Sequence, residues 1–148
     1  MVKLKKEKKE VSVCLMENNF FELNSLRKNI NYKFEDLVEV RGFHNECSFF
    51  NWIRKRPDIV IMNIDFENSF DIIEQIKEKS PKSKIIIFTK DNKIKNIVKS
   101  INLGVSNYII KQNGSLDNLI IELEDKVSVI LGEKNKPNKY NILKTFFN

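Results

Sequence analysis

Cysteine is nearly missing from this chain. Cys14 and Cys47 are the only two in 148 residues. Two thiols cannot build a disulfide framework, and their spacing matches no zinc-type pairing. Cys14 lies in an apolar segment and reads as a small buried hydrophobe. Histidine is scarcer still: His44 stands alone and reads as a surface or boundary residue. Long apolar runs are absent as well, so no transmembrane segment is expected. The apolar stretch after the basic N-terminus spans only residues 11–16 before Glu17, too short for a secretory signal. The expected setting is the cytoplasm, with no membrane role. There is no internal repeat.

A basic body is also lacking. The formal net charge is +6, but residues 1–10 carry five Lys against two Glu, and residues 133–148 carry four Lys against one Glu. Residues 11–132 hold 17 basic and 17 acidic side chains and balance to zero. That distribution excludes a nucleic-acid platform spread over the body and places the positive charge in two tails. The tails read as solvated ends, with weak, salt-sensitive attraction to DNA, RNA or an acidic surface as the lesser alternative. The expected organisation is a basic tail over 1–10, one domain over 11–132 and a basic, partly apolar extension over 133–148. The length suits a single core.

What the chain does have is a repeated alternation of short apolar runs and helical patterns. Residues 57–65, Pro-Asp-Ile-Val-Ile-Met-Asn-Ile-Asp, form the most telling run. It is short, β-branched and almost wholly apolar, which predicts a strand buried on both faces of a parallel sheet. In such sheets ligands gather at the carboxyl ends of strands, and Asn63 stands at that end. Before it, residues 11–16 predict a first strand, residues 20–30 an amphipathic helix, and residues 37–43 a second strand. Asn45 is a candidate cap for a helix carrying Phe49, Phe50, Trp52 and Ile53, stopped by Arg54-Lys55-Arg56 and Pro57. After it come a short helix through Phe70, Ile73 and Ile76, broken at Pro81, and a fourth strand over residues 84–89. A helix bearing Ile94, Ile97, Val98 and Ile101 follows, with Asp91 or Asn92 as its cap and Gly104 as its left-handed end. Residues 107–111 predict the fifth strand. Ser115 is the expected cap of a last helix closed by Gly132. Five strands alternating with five helices imply right-handed βαβ units and a doubly wound parallel sheet.

Several features in this order carry a resemblance. Residues 57–64 end a strand at Asn63, residues 85–89 end one at Thr89, and Leu103-Gly104-Val105-Ser106-Asn107-Tyr108-Ile109-Ile110-Lys111 joins a turn, an aromatic and a lysine. Thr89 and Lys111 are 22 positions apart. Over residues 11–131 the chain resembles the receiver domain of bacterial two-component response regulators. The resemblance implies a flavodoxin-like (βα)5 fold with a five-stranded parallel sheet in the order 2-1-3-4-5, and no enzymatic activity of its own. It implies that Asn63 occupies the phosphoacceptor position, Glu17 and Asn18 the acidic pair, Thr89 and Lys111 the phosphate-binding positions, and Thr89 and Tyr108 the switch.

The departures matter more than the matches. A receiver's three carboxylates become one, so the formal charge of the site falls from about −3 to −1. A neutral carboxamide at Asn63 is not a competent nucleophile. Glu17 is one methylene longer than Asp, which misplaces its oxygens for octahedral Mg²⁺, so Mg²⁺ binding is expected to be weak or absent and no cofactor is expected. Lys111 is expected to pair with Glu17 and to hydrogen-bond Asn63. Phe66-Glu67-Asn68-Ser69 replaces the family's loop after the acceptor, and Gln112 replaces the proline that commonly follows the lysine.

The leading reading is therefore an atypical, pseudo-receiver signalling domain. Its expected partners are another protein or a second copy through the face of helix four, strand five and helix five. Lys93, Lys95 and Lys99 would there oppose Glu122, Glu124 and Asp125. An effector domain, or DNA reached through a longer chain, is a further expected partner. One alternative is a phosphorylatable receiver using Asp65 as a displaced acceptor. Another is a flavodoxin-like FMN protein, against which the loop after strand one counts because it holds an acid and no glycine.

Overall fold

The computed structural model describes residues 9–134. The expectations for residues 1–8 and 135–148 fall outside these. Five strands, β1 (Val11–Met16), β2 (Val38–Phe43), β3 (Ile59–Met62), β4 (Lys84–Thr89) and β5 (Asn107–Ile110), form one parallel sheet in the order β2-β1-β3-β4-β5. Five helices alternate with them: α1 (Phe20–Phe34), α2 (Glu46–Ile53), α3 (Ser69–Lys79), α4 (Ile94–Asn102) and α5 (Ser115–Lys134). The expected architecture and strand order are both present.

The two-residue period of a strand sorts its side chains between two cores. Val13, Leu15, Ile59, Ile61, Ile86 and Phe88 face α1 and α5. Cys14, Met16, Val60, Met62, Ile85 and Ile87 face the opposite layer with Phe49, Ile53, Ile73 and Ile76. Every residue of β3 is buried, as its continuous apolar sequence requires. Truncating one such isoleucine to alanine costs about 2–5 kcal/mol.

The element ends show where local chemistry overrode the simple pattern. Asn19 caps α1 by accepting the Glu22 N–H at 3.1 Å. The helix runs four residues beyond its expected end because Phe34 joins the first core. Glu35, at φ 45°, stops it. A 3-10 turn over Glu35–Leu37 then removes Leu37 from the second strand and leaves it exposed. Asn45 caps α2 as expected, accepting from Ser48 N–H. Neither Asp91 nor Asn92 takes the cap position of α4, which falls to Lys93. Asp91 instead binds the Lys93 N–H and the Asn96 amide. Ser115 is the first residue of α5, and its hydroxyl accepts from Gln112 N–H. Gly132 lies inside α5, which continues to Lys134. Gly104, at φ +95°, ends α4 in the left-handed conformation that only glycine adopts freely.

One helix faces the wrong way for a core element. In α4 the stripe Ile94, Val98 and Ile101 points to solvent, with Ile94 77 % exposed, while Ser100 is buried.

Candidate functional site

Strand register assembles the site. Met16 of β1 pairs with Met62 of β3, so the next residues, Glu17 and Asn63, leave the sheet side by side. The Asn63 N–H donates to the Met16 carbonyl at 3.0 Å. Thr89 ends β4 opposite Ile110, and the Lys111 N–H donates to the Thr89 carbonyl at 2.7 Å. Four side chains from four strand ends thus meet at the carboxyl edge of the sheet.

Their polar groups are mutually satisfied. The Asn63 Nδ2 donates to both carboxylate oxygens of Glu17, at 3.2 Å each. The Asn63 Oδ1 accepts from the Thr89 hydroxyl at 2.7 Å and from the Asp65 N–H at 3.1 Å. Glu17, Asn63 and Thr89 are each at most 3 % exposed. Lys111 donates to Glu17 Oε2 and to Glu22 Oε2, both at 2.8 Å. The Asn19 N–H also reaches Glu17 Oε1 at 3.1 Å. The ammonium lies 5.4 Å from the centre of the Phe88 ring. Burial alone would lower the lysine pKa. The hydrogen bonds and charges of Glu17 and Glu22 outweigh it, and the net shift is upward.

The expected Lys111–Glu17 pair is present, but no hydrogen bond joins Lys111 to Asn63. The amide is turned to Glu17 and Thr89, and the lysine takes Glu22 as its second acid. Glu22 is the residue that sequence reasoning missed. Its signal was its place in the first turn of α1, three residues after the cap, which brings it to the same edge. Asp65 is exposed, with its Oδ1 3.3 Å from the Thr89 hydroxyl. Asn18 is exposed, and its side chain only lines the surrounding cavity of about 300 Å³, shared with Lys90. Tyr108 is half-buried. Its hydroxyl donates to the Asp91 carbonyl at 2.7 Å, which ties β5 to the loop before α4. Burial, then the charges of Asp91 and Asp65, push its pKa up to about 12.

The donor set does not suit Mg²⁺. A hard cation needs several free oxygens in octahedral array. Here Glu17 and Asn63 spend theirs on amide, hydroxyl, ammonium and backbone N–H partners. Among the described residues, no cluster of three or more His, Cys, Asp or Glu stands where it could hold a metal.

Residues 13–124 match the family model of the response regulator receiver domain. The chain belongs to that family. The fold is also close to solved structures at low identity. A CheY-like receiver domain protein from Methanospirillum hungatei superposes with a TM-score of 0.71 at 17% identity, covering 83% of this chain and 98% of that one. An orphan response regulator of H. pylori gives 0.70 at 19%, with 82% and 99% covered. A response regulator protein from Burkholderia pseudomallei, with a phosphorylated aspartic acid, calcium ion and citrate, gives 0.68 at 16%, with 86% and 75% covered. No curated protein matches this sequence. Family membership sets the chain in two-component signalling and leaves the FMN alternative without support. Among the described residues, no helix is long and apolar enough to cross a membrane.

Proposed function

We propose that this chain is a pseudo-receiver: a signalling domain that works through protein contacts in signal transduction or transcription regulation, without aspartyl phosphorylation. The observation that carries this reading is the Asn63 amide between Glu17 and Thr89. It donates to the first and accepts from the second, a pattern that a carboxylate cannot provide without a proton or a metal. Phosphorylation moves a receiver between two conformations only through its differential stabilisation of one of them. With an amide at residue 63, Lys111 spent on two acids and no set of oxygens suited to Mg²⁺, that lever is missing. The conformational balance is then set by the sequence and by whatever partner binds.

The partner surface we favour is a second copy meeting the face of α4, β5 and α5. The expected charge complementarity across it is much reduced. Glu124 is paired with Lys33 on α1 at 2.9 Å. Lys99 sits over the Phe70 ring at 4.3 Å. Glu122 is engaged by Asn107 and Lys126. Exposed Ile94, Val98, Ile101 and Ile121 supply an apolar surface instead. An effector domain on a longer chain, with DNA beyond it, is the remaining partner class.

A second reading has one observation behind it: Asp65 is exposed and shares the cavity with Lys90 and Lys111. Treatment with acetyl phosphate and Mg²⁺ followed by intact-mass spectrometry separates the two. The pseudo-receiver reading expects no added phosphoryl mass. A phosphoryl adduct mapped to Asp65 would replace it with the second reading.

A further inference from the structure

We propose that the pole opposite Asn63 docks the phosphodiester backbone of a nucleic acid. Asn63 follows the carboxyl end of β3. Arg56 precedes its amino end by three residues, roughly 20 Å away along an extended chain. At that amino end lies a second cavity of about 390 Å³, lined by the cations Lys9, Arg41, Lys55, Arg56 and Lys134, by three acids and by Trp52.

Two of the three acids pair with cations of the same wall, Asp58 with Lys134 and Glu39 with Arg41, which leaves three cations to face a ligand. Asp58 Oδ2 accepts the Ser12 N–H and the Lys134 ammonium, each at 2.9 Å. Glu39 accepts from Arg41 at 3.1 Å. Among the described residues, Lys9, Lys55 and Arg56 have no acidic partner. Arg56 is held at φ 51°, a left-handed backbone that costs a non-glycine residue about 1–2 kcal/mol. Its N–H donates to the Ile53 carbonyl at 2.9 Å, so this turn closes α2 and fixes the arginine at the cavity's edge. Trp52 forms part of the cavity wall. Its Nε1 is the one buried side-chain nitrogen or oxygen among the described residues without a hydrogen-bond partner. That nitrogen is closed off from solvent, so Trp52 serves the cavity as wall and not as a donor to a ligand.

The tails attach at this same place. Lys9 and Lys134 both line the cavity, and the Lys134 ammonium donates to the Glu10 carbonyl. Residues 1–8 carry four Lys and one Glu, and residues 135–148 carry three Lys and no acid. The whole formal net charge of +6 therefore lies in segments that join the domain at the cavity; residues 9–134 balance to zero. A concave cluster of cations suits a ridged, linear polyanion better than a flat bilayer. Counterion release from such a backbone supplies the affinity without base recognition.

The test uses the full chain and a fluorescent 20-base DNA, single-stranded and duplex, followed by anisotropy against salt. Trp52 is the only tryptophan, so its emission reports on the cavity wall directly. Three neutralised phosphates predict an affinity loss of about 40-fold between 50 and 200 mM salt, with a change in Trp52 emission on binding. Lys55→Glu with Arg56→Glu should weaken binding at least about tenfold and flatten the salt slope by about two. Lys93→Glu with Lys95→Glu, at the other end of the sheet and equal in charge change, should leave affinity within about threefold. Circular dichroism checks that both variants fold. No binding, equal loss in the two variants, or an unmoved Trp52 signal at saturation overturns the proposal. So does binding to phosphatidylserine vesicles that the DNA does not displace. Inorganic pyrophosphate matching the DNA in affinity would reduce the site to a single-phosphate pocket and overturn the backbone assignment as well.

Discussion

The Asn63 amide nitrogen stands 3.2 Å from each carboxylate oxygen of Glu17, and both residues are almost wholly buried. An aspartate at residue 63 would set two carboxylates at that separation. Asn63→Asp is therefore expected to lose about 1–3 kcal/mol of stability at neutral pH without metal, since a buried donor becomes a second like charge. Millimolar Mg²⁺ should recover much of that loss in the variant and leave the parent chain unmoved. Thermal melts of both proteins with and without Mg²⁺ check this, and equal responses would count against the account of the site given above.

Lys111 neutralises a carboxylate that is 3 % exposed at its side chain. Lys111→Met leaves Glu17 buried and unpaired, and a loss of about 3–5 kcal/mol is expected. The double variant Lys111→Met with Glu17→Gln should regain most of it, because no charge is then stranded. Urea unfolding of the single and double variants supplies the comparison.

The same lysine sets a pH dependence. Its folded pKa is raised, so its contribution is fully present below the unfolded value of about 10.4 and fades as pH climbs through the folded value. Tyr108 acts in the same direction. Its phenol is held protonated up to about 12 in the fold but loses its proton near 10 when unfolded. Stability should fall above about pH 10, and Lys111→Met or Tyr108→Phe should each make that fall shallower. Melting temperatures taken between neutral and strongly alkaline pH check the slope.

If two copies meet through α4, β5 and α5, apolar contact supplies most of the energy. Each aliphatic side chain fully buried there is worth about 1.5–3 kcal/mol. Ile94→Glu with Ile101→Glu should convert a sedimenting dimer to a monomer without lowering the melting temperature of the domain. Reversing Lys93 or Lys95 should do little by comparison.

The two cysteines should separate cleanly by reactivity. Cys47 is exposed and Cys14 is fully buried, with burial pushing its thiol pKa up. One thiol should react with a disulfide reagent in the native protein and the second only on unfolding. Reaction of Cys14 at the unfolding rate would also measure the opening of β1 from the sheet.

The sequence by itself determined the βα alternation and the parallel sheet, because runs such as Ile59–Met62 are too short and too apolar for anything but doubly covered strands. It also marked Asn63, Thr89 and Lys111 as residues at strand ends, since side-chain period and turn signals are local. Only the tertiary structure decided which atoms meet there. The choice of Glu22 over Asn63 as the second partner of Lys111 depends on how α1 leans over the sheet edge, which no local pattern encodes. Packing between elements likewise turned the apolar stripe of α4 outward. It also brought Lys9, Arg56 and Lys134 together from three distant parts of the chain, a convergence set by strand order and register.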